Sequence, residues 1–263
     1  NSGGAISFGL NTALVTVGTG SGIVNINGGN LFLNRFITAS ANDTPQADNS
    51  DAYVNFNGGT LVASASKLTS PNLTFSSNFI PTYVSIRVNG AFGTFPGGAV
   101  IDTAGQDCVA ESPFLAPTGE GIRELRLADS GSGYIGAPYV SISGDGVGAT
   151  AIANMVDDGT GKGTFKVASI TVCNPGVDYT AGGTSFSLIG GAPQSPALPD
   201  STTPVVTAPN TSGGLTKNGA GTLALLSANS YSGPTFVNSG RLQVTTLHAG
   251  GGTVAVMDDA TFS

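Results

Sequence analysis

Short runs of alternating apolar and polar residues, broken every few positions by Gly, Asn or Ser, recur along this chain. AISFG, ALVTVG, GIVNING and NLFLN follow one another within the first 40 residues. A period of two sends every second side chain to the same face, which predicts short half-buried strands. A helix reading fails, because no apolar stripe recurs at helical spacing and Gly, Ser and Asn are poor helix formers. The expected fold class is all-β with many tight turns.

Two internal repeats organise these strands. VNINGGNLFL (24–33) recurs as VNFNGGTLVA (54–63), 30 residues later. Self-similarity at a fixed period is the signature of stacked coils, with the NGG element as the corner between faces. A different repeat relates Ile122–Gly144 to Val167–Gly190 at an offset of 45 residues, matching Asp129 with Asn174, Gly131 with Gly176 and Tyr134 with Tyr179. Each copy has strand, Gly turn, Tyr and strand, so it predicts a small β lobe of two similar modules. GAPQSPALPDSTTPVV (191–206 with Gly190) is expected to be an extended linker leading out of that lobe.

The most informative stretch is Gly213–Val244, GGLTKNGAGTLALLSANSYSGPTFVNSGRLQV. GAGTLAL (219–225) is a Gly-rich corner followed by alternating apolar residues, and NSGRLQV (238–244) repeats that grammar. The stretch resembles the autotransporter-associated β-strand repeat of long bacterial surface proteins. The shared residues include GGLTK (213–217), Gly219, Gly221, Leu223, Leu225, Tyr231, Gly233, Asn238, Gly240, Leu242 and Val244. Pro234 and Arg241 depart from the family at positions expected to be solvent-facing corners. The resemblance implies a right-handed parallel β-helix (solenoid) from an exported passenger. It implies no catalytic activity, since the motif carries no catalytic residue. GGAVIDTAGQD (97–107) also looks like the family, in which such a turn stands shortly before a GGLTK unit. Here the run from Cys108 to about Asn210 intervenes. The expected organisation is N-terminal coils over 1–107, an inserted lobe on one face of the solenoid over 108–210, and C-terminal coils over 211–263, with about 20–25 residues per coil throughout the stem.

Composition narrows the function classes. The chain has 263 residues, 9 basic against 16 acidic side chains and a net charge of −7. No Lys/Arg cluster exists for nucleic acid or anionic lipid, and no apolar run is long enough for a membrane-spanning helix. With neither an initiating Met nor a signal peptide, the chain is expected to be a processed piece of a longer protein or to have its ends completed by something else. For Cys108 and Cys173, the exported-family resemblance favours one disulfide tying lobe to stem, which would stabilise by about 4 kcal/mol. Two buried free thiols are the alternative.

Candidate chemistry is thin. The single His248 lies in TLHAGGG with no nucleophile elbow, and it is expected in a solvent-exposed loop. Asp157–Asp158 and Asp258–Asp259 are adjacent pairs that a strand would point to opposite faces, and Glu120 with Glu124 is the third acidic pair. Asp43, Asp48 and Asp51 lack calcium-loop spacing and suit a solvated loop. The sequons at Asn42, Asn72 and Asn210 matter only in a glycosylating host. Tyr134, Tyr139 and Tyr179 are the candidate ligand surface of the lobe, although packing within each module is the competing role for Tyr134 and Tyr179.

The expected function is therefore a non-enzymatic, cofactor-free, extracellular structural segment of a bacterial surface fibre or adhesin-like passenger. Its expected partner is a second copy stacked head to tail through open coil ends, or the continuation of a longer chain. A glycan- or receptor-binding module built on the lobe is the alternative, and a polysaccharide-cleaving β-helix ranks behind it.

Overall fold

The computed structural model describes residues 5–7, 22–33, 52–63, 79–80 and 84–263. Among these residues every regular element is a strand and none is a helix. Asp43, Asp48, Asp51, Asn42 and Asn72 lie outside the described residues. The chain divides into two compact units, Asn1–Pro117 with Thr211–Ser263, and Thr118–Asn210.

The first unit is built from three parallel sheets. One runs in the order Ala5–Ser7, Asn30–Leu33, Thr60–Ala63, Ala99–Asp102, Leu215–Asn218, Thr235–Val237, Val254–Val256. A second runs Cys108–Ala110, Thr222–Leu225, Arg241–Val244, Thr261–Phe262, and a third Gly22–Ile26, Ala52–Phe56, Val84–Val88, Phe114–Leu115. Each strand pairs in parallel with its counterpart from the pass before, as Leu215 pairs with Ala99 and then with Thr235. Parallel neighbours arranged in this way are the pairing pattern of a β-solenoid.

Alternation along each strand supplies the core. In Leu215–Asn218 the first and third side chains are buried, and in Thr222–Leu225 the second and fourth. Ile101, Leu215, Leu223 and Val237 meet in one cluster that continues to Phe56 and Phe114, whose rings stack 6.2 Å apart. Burial of a side chain of this size stabilises by about 1.5–3 kcal/mol. The corners need glycine: Gly219 and Gly221 hold φ of 79° and 91°, a region closed to most L-residues.

The coil length changes along the stack. Asn55 and Asn57 donate to the side-chain oxygens of Asn25 and Asn27, 30 residues earlier. Asn89 then donates to Asn57 at 2.8 Å, so three asparagines form a ladder up one corner. Farther on, Asn238 donates to Asn218 only 20 residues away. The longer coils include a strand on the third sheet, whereas beyond Phe114–Leu115 that side shrinks to an isolated bridge between Asn229 and His248.

The insertion begins later than the sequence indicates. Cys108–Ala110 pairs with Leu223–Leu225, and Phe114–Leu115 pairs with Ile86–Arg87, so the expected boundary at 108 is corrected to Thr118. The family-like turn that ends at Asp107 misplaces it, because these two short strands carry no repeat signature of their own. The chain leaves and rejoins the stack at neighbouring places: Leu115 stands beside Arg87, and Ser212 bridges to Asn89.

The second unit is antiparallel. Phe165–Asn174, Thr150–Asp157, Tyr139–Ser143 and Ser185–Ile189 lie side by side in that order, and two smaller pairs join Glu120–Leu125 to Val205–Pro209 and Leu127–Asp129 to Leu198–Pro199. The Pro-rich return is thus not a plain linker. Its carbonyls still accept, and Pro204 O takes the Arg126 N–H at 2.8 Å. The central pairing has local two-fold symmetry: Val140 faces Leu188 and Ser143 faces Ser185, which are the same pair once the two copies are exchanged.

Candidate functional site

The repeat Gly213–Val244 builds one complete corner around a buried ammonium. Lys217 is 0% exposed, and its Nζ donates to Gly219 O at 2.7 Å, Asn218 O at 3.0 Å and Ser239 O at 3.1 Å. The third carbonyl belongs to the next coil, so this side chain staples two layers. Burial pulls the ammonium below its ordinary value, and Asp102, Cys108 and Asp107 oppose that fall more weakly. On the preceding coil Thr103 does similar work, donating its hydroxyl to Ala220 O at 2.7 Å. Gly214 is needed for close approach, since a Cβ there would collide with the carbonyl of Pro234, which accepts from Leu215 N. Pro234 and Arg241 are exposed, at the solvent side of their coils.

In the second unit the duplicated modules share one device. Asp129 Oδ1 accepts from Gly131 N at 2.8 Å, and Asn174 Oδ1 accepts from Gly176 N at 2.8 Å. These turns, with φ of 64° and 68° at the glycines, deliver Tyr134 and Tyr179 inward. Tyr134 is 1% exposed and its hydroxyl accepts from Ala197 N at 2.8 Å; Tyr179 is 5% exposed and accepts from Ala149 N at 3.3 Å. Each tyrosine turn is closed by the tail that follows the other module, through Ser132–Ser195 and Val147–Val177 bridges. Of the three tyrosines expected at a ligand surface, Tyr134 and Tyr179 are corrected to packing positions. Tyr139 alone is exposed, at 69%.

Cys108 and Cys173, expected as one bridge, are both thiols in this structure. Cys108 points into the core of the first unit and is 1% exposed. Burial pushes its thiol up to about 12. Burial also raises Cys173, which is half-buried in its strand.

Two of the three acidic pairs do structural work. Asp158 accepts from the hydroxyls of Thr164 and Thr160, each at 2.7 Å, and from the N–H groups of Thr160 and Gly133, each at 3.0 Å. The two hydroxyl bonds hold its carboxyl well below the usual range. Asp157 caps Gly159 N. Glu120 accepts from the Thr207 hydroxyl, and Glu124 pairs with Arg126 at 2.8 Å. Asp258 and Asp259 sit exposed in a turn, Asp259 with φ of 65°. Among the described residues no group of three or more His, Cys, Asp or Glu could hold a metal ion.

His248 differs from the solvent-exposed loop residue expected. Its ring lies 4.4 Å from that of Tyr231, and both ring nitrogens are buried without a hydrogen-bond partner. The sequence signal was available: His248 occupies the coil position that Asn229 holds one layer earlier.

Residues 215–244 match the family model described as the passenger-associated-transport-repeat. No curated protein and no solved structure matches the chain. The matched stretch is an autotransporter passenger repeat, and a repeat of this kind implies a secreted or surface-exposed protein. The stretch runs over two stacked layers, from the strand Leu215–Asn218 in the layer that carries Lys217 to the strand Arg241–Val244 in the layer after it.

Proposed function

We propose that this chain is a structural, non-enzymatic segment of a bacterial surface passenger, in which a right-handed β-solenoid stem carries an inserted β lobe. The observation that carries this reading is the direct parallel pairing of Ala99–Asp102 with Leu215–Asn218, which makes the transport repeat a continuation of the stack that precedes the insertion. The right hand follows the general rule for crossovers between parallel strands. The carboxylates singled out for hydrolysis support a structural role, since Asp157, Asp158, Glu120 and Glu124 each hold a turn or a neighbouring side chain. The test is protease shaving of intact cells that produce the parent protein, with peptides read by mass spectrometry. Release of peptides from this chain is expected. Protection until lysis would overturn the surface assignment.

A second reading is head-to-tail assembly. Val254, Val256, Met257 and Phe262 are each more than 40% exposed on the strands Val254–Val256 and Thr261–Phe262 and the turn between them. Apolar side chains in such a row suit a further stacked layer, from a second copy or from more of the same chain. Negative-stain electron microscopy of native material separates these: filaments with one stem per axial repeat support assembly, and isolated short rods refute it.

A further inference from the structure

The second unit presents a row of exposed apolar side chains across its four-stranded sheet. Ile152, Tyr139 and Ile189 lie directly opposite one another on three adjacent antiparallel strands and so project from the same face. They are 54%, 69% and 55% exposed. At the usual strand spacing the row is about 10 Å across. Beside it the same face continues in hydroxyls. Ser141 faces Ser187 and Ser143 faces Ser185, two and four residues along from Tyr139. On the other side Asn154 donates to Ser169 at 3.0 Å and to Thr171 at 2.8 Å, which fixes the amide in the plane of the face. None of these residues is charged.

The geometry points to this face as a binding site for a neutral saccharide, with Tyr139 as the platform. A tyrosine ring offers a flat apolar surface with a polar tip, suited to the C–H face of a sugar ring. Serine and threonine hydroxyls both donate and accept, as sugar hydroxyls require. The row and its flanking hydroxyls carry no charge, the nearest cation along this face being Lys166 opposite Val156, which disfavours an acidic polymer, whose carboxylates or sulfates need Lys or Arg partners. A protein partner fits less well, because a stable interface takes about 800 Å² from each side and three side chains flanked by serines supply a small part of that. Tyr139 has no counterpart in the other module, where Thr184 takes its place and is buried, so the duplication yields one such site. This inference goes beyond the structural role proposed above and does not depend on it.

The test is binding of the full chain to an array of neutral and acidic oligosaccharides, repeated with Tyr139→Ala, Tyr139→Phe and, as a control on an exposed residue of the first unit, Leu247→Ala. Retention on at least one neutral oligosaccharide is expected. Tyr139→Ala should weaken it at least about tenfold, while Tyr139→Phe and Leu247→Ala keep it. Because Tyr139 is exposed, the alanine variant should preserve the amide-exchange pattern of the Tyr134 and Tyr179 turns, which checks that the unit remains folded. Failure to retain any neutral oligosaccharide, retention of acidic ones alone, or binding indifferent to Tyr139→Ala would each overturn the site. So would sedimentation showing that Tyr139 holds two copies together.

Discussion

Tyr134 and Tyr179 hold matching places in the two modules, and the hydroxyl oxygen of each accepts from the backbone N–H of an alanine in the other module's tail. The exchange makes each half depend on the other. Tyr134→Phe keeps the ring and removes the acceptor for Ala197 N–H, so it should cost the second unit about 1–3 kcal/mol. Tyr179→Phe should cost less, because its bond to Ala149 is longer. Hydrogen exchange at Ala197 and Ala149 checks both. Equal exchange in wild type and variants would refute the assignment.

Lys217 makes a distinct pH prediction. Its folded value lies below the 10.5 of an exposed lysine, so the unfolded chain binds more protons between the two. The penalty of burying the charge is fully present below the folded value and is relieved as pH rises toward 10.5. Tyr231 acts in the opposite sense, since burial raises it above 10 and stability is lost as pH rises through that range. The comparison must therefore be wild type against Lys217→Met. The variant should be less stable by about 1–3 kcal/mol at neutral pH, because Gly219 O and Ser239 O lose their donor while Asn218 O keeps the Thr103 N–H. The difference should grow as pH rises toward 10.5. Denaturant titrations at several pH values read it directly.

In acid the second unit should loosen first. Hydrogen bonds from Thr164, Thr180 and Thr203 are the largest influence depressing Asp158, Asp145 and Asp200 respectively. A depressed carboxylate lends stability above its unfolded value of 3.8, and that contribution is lost as pH falls from there toward the folded value. Protection of the Thr160, Thr180 and Thr202 amides against exchange, relative to their intrinsic rates, should fall below about pH 4. In Asp158→Asn the Thr160 response should disappear.

Cys108 should resist alkylation. A thiol raised to about 12 and sealed in the core holds almost no thiolate at pH 8. Iodoacetamide should label Cys173 slowly and Cys108 only after denaturation. A non-reduced mass two hydrogens lighter than the reduced one would instead reveal a bridge.

His248→Asn should stabilise the stem. Ala249 sits over Asn229 as Ser230 sits over Phe114, and Asn229 Oδ1 already takes the Phe114 N–H at 2.9 Å. An asparagine at 248 would bring its own oxygen to the Asn229 N–H and remove two orphaned ring nitrogens. A gain of about 0.5–1.5 kcal/mol is expected, read as a higher midpoint in denaturant. A loss would mean that the Tyr231–His248 contact outweighs the ladder.

Much of this was legible in the chain. The 30-residue repeat is one coil, because a stacked layer must place like residues over like, and Asn25, Asn27, Asn55 and Asn57 do so by hydrogen-bonding to themselves. The transport repeat was legible for the same reason. The fate of single side chains was less visible. Tyr134 and Tyr139 stand five residues apart in one module, yet one is buried and the other exposed, and only strand pairing decides which. The burial of Lys217 was hidden too, since its partners are carbonyls, which every residue carries. The start of the insertion was missed because Cys108–Ala110 and Phe114–Leu115 are too short to show a period.

The closeness of Leu115 and Ser212 along one edge of the stack has a wider consequence. To the stem, everything from Thr118 to Asn210 amounts to a single bend, because loop closure depends on where two ends meet and only weakly on what lies between them. Coil count and register are set by the strands on either side. The stem is thus a chassis with a mounting point, and its cargo can be exchanged over evolutionary time, or by an engineer, without rewinding a single layer.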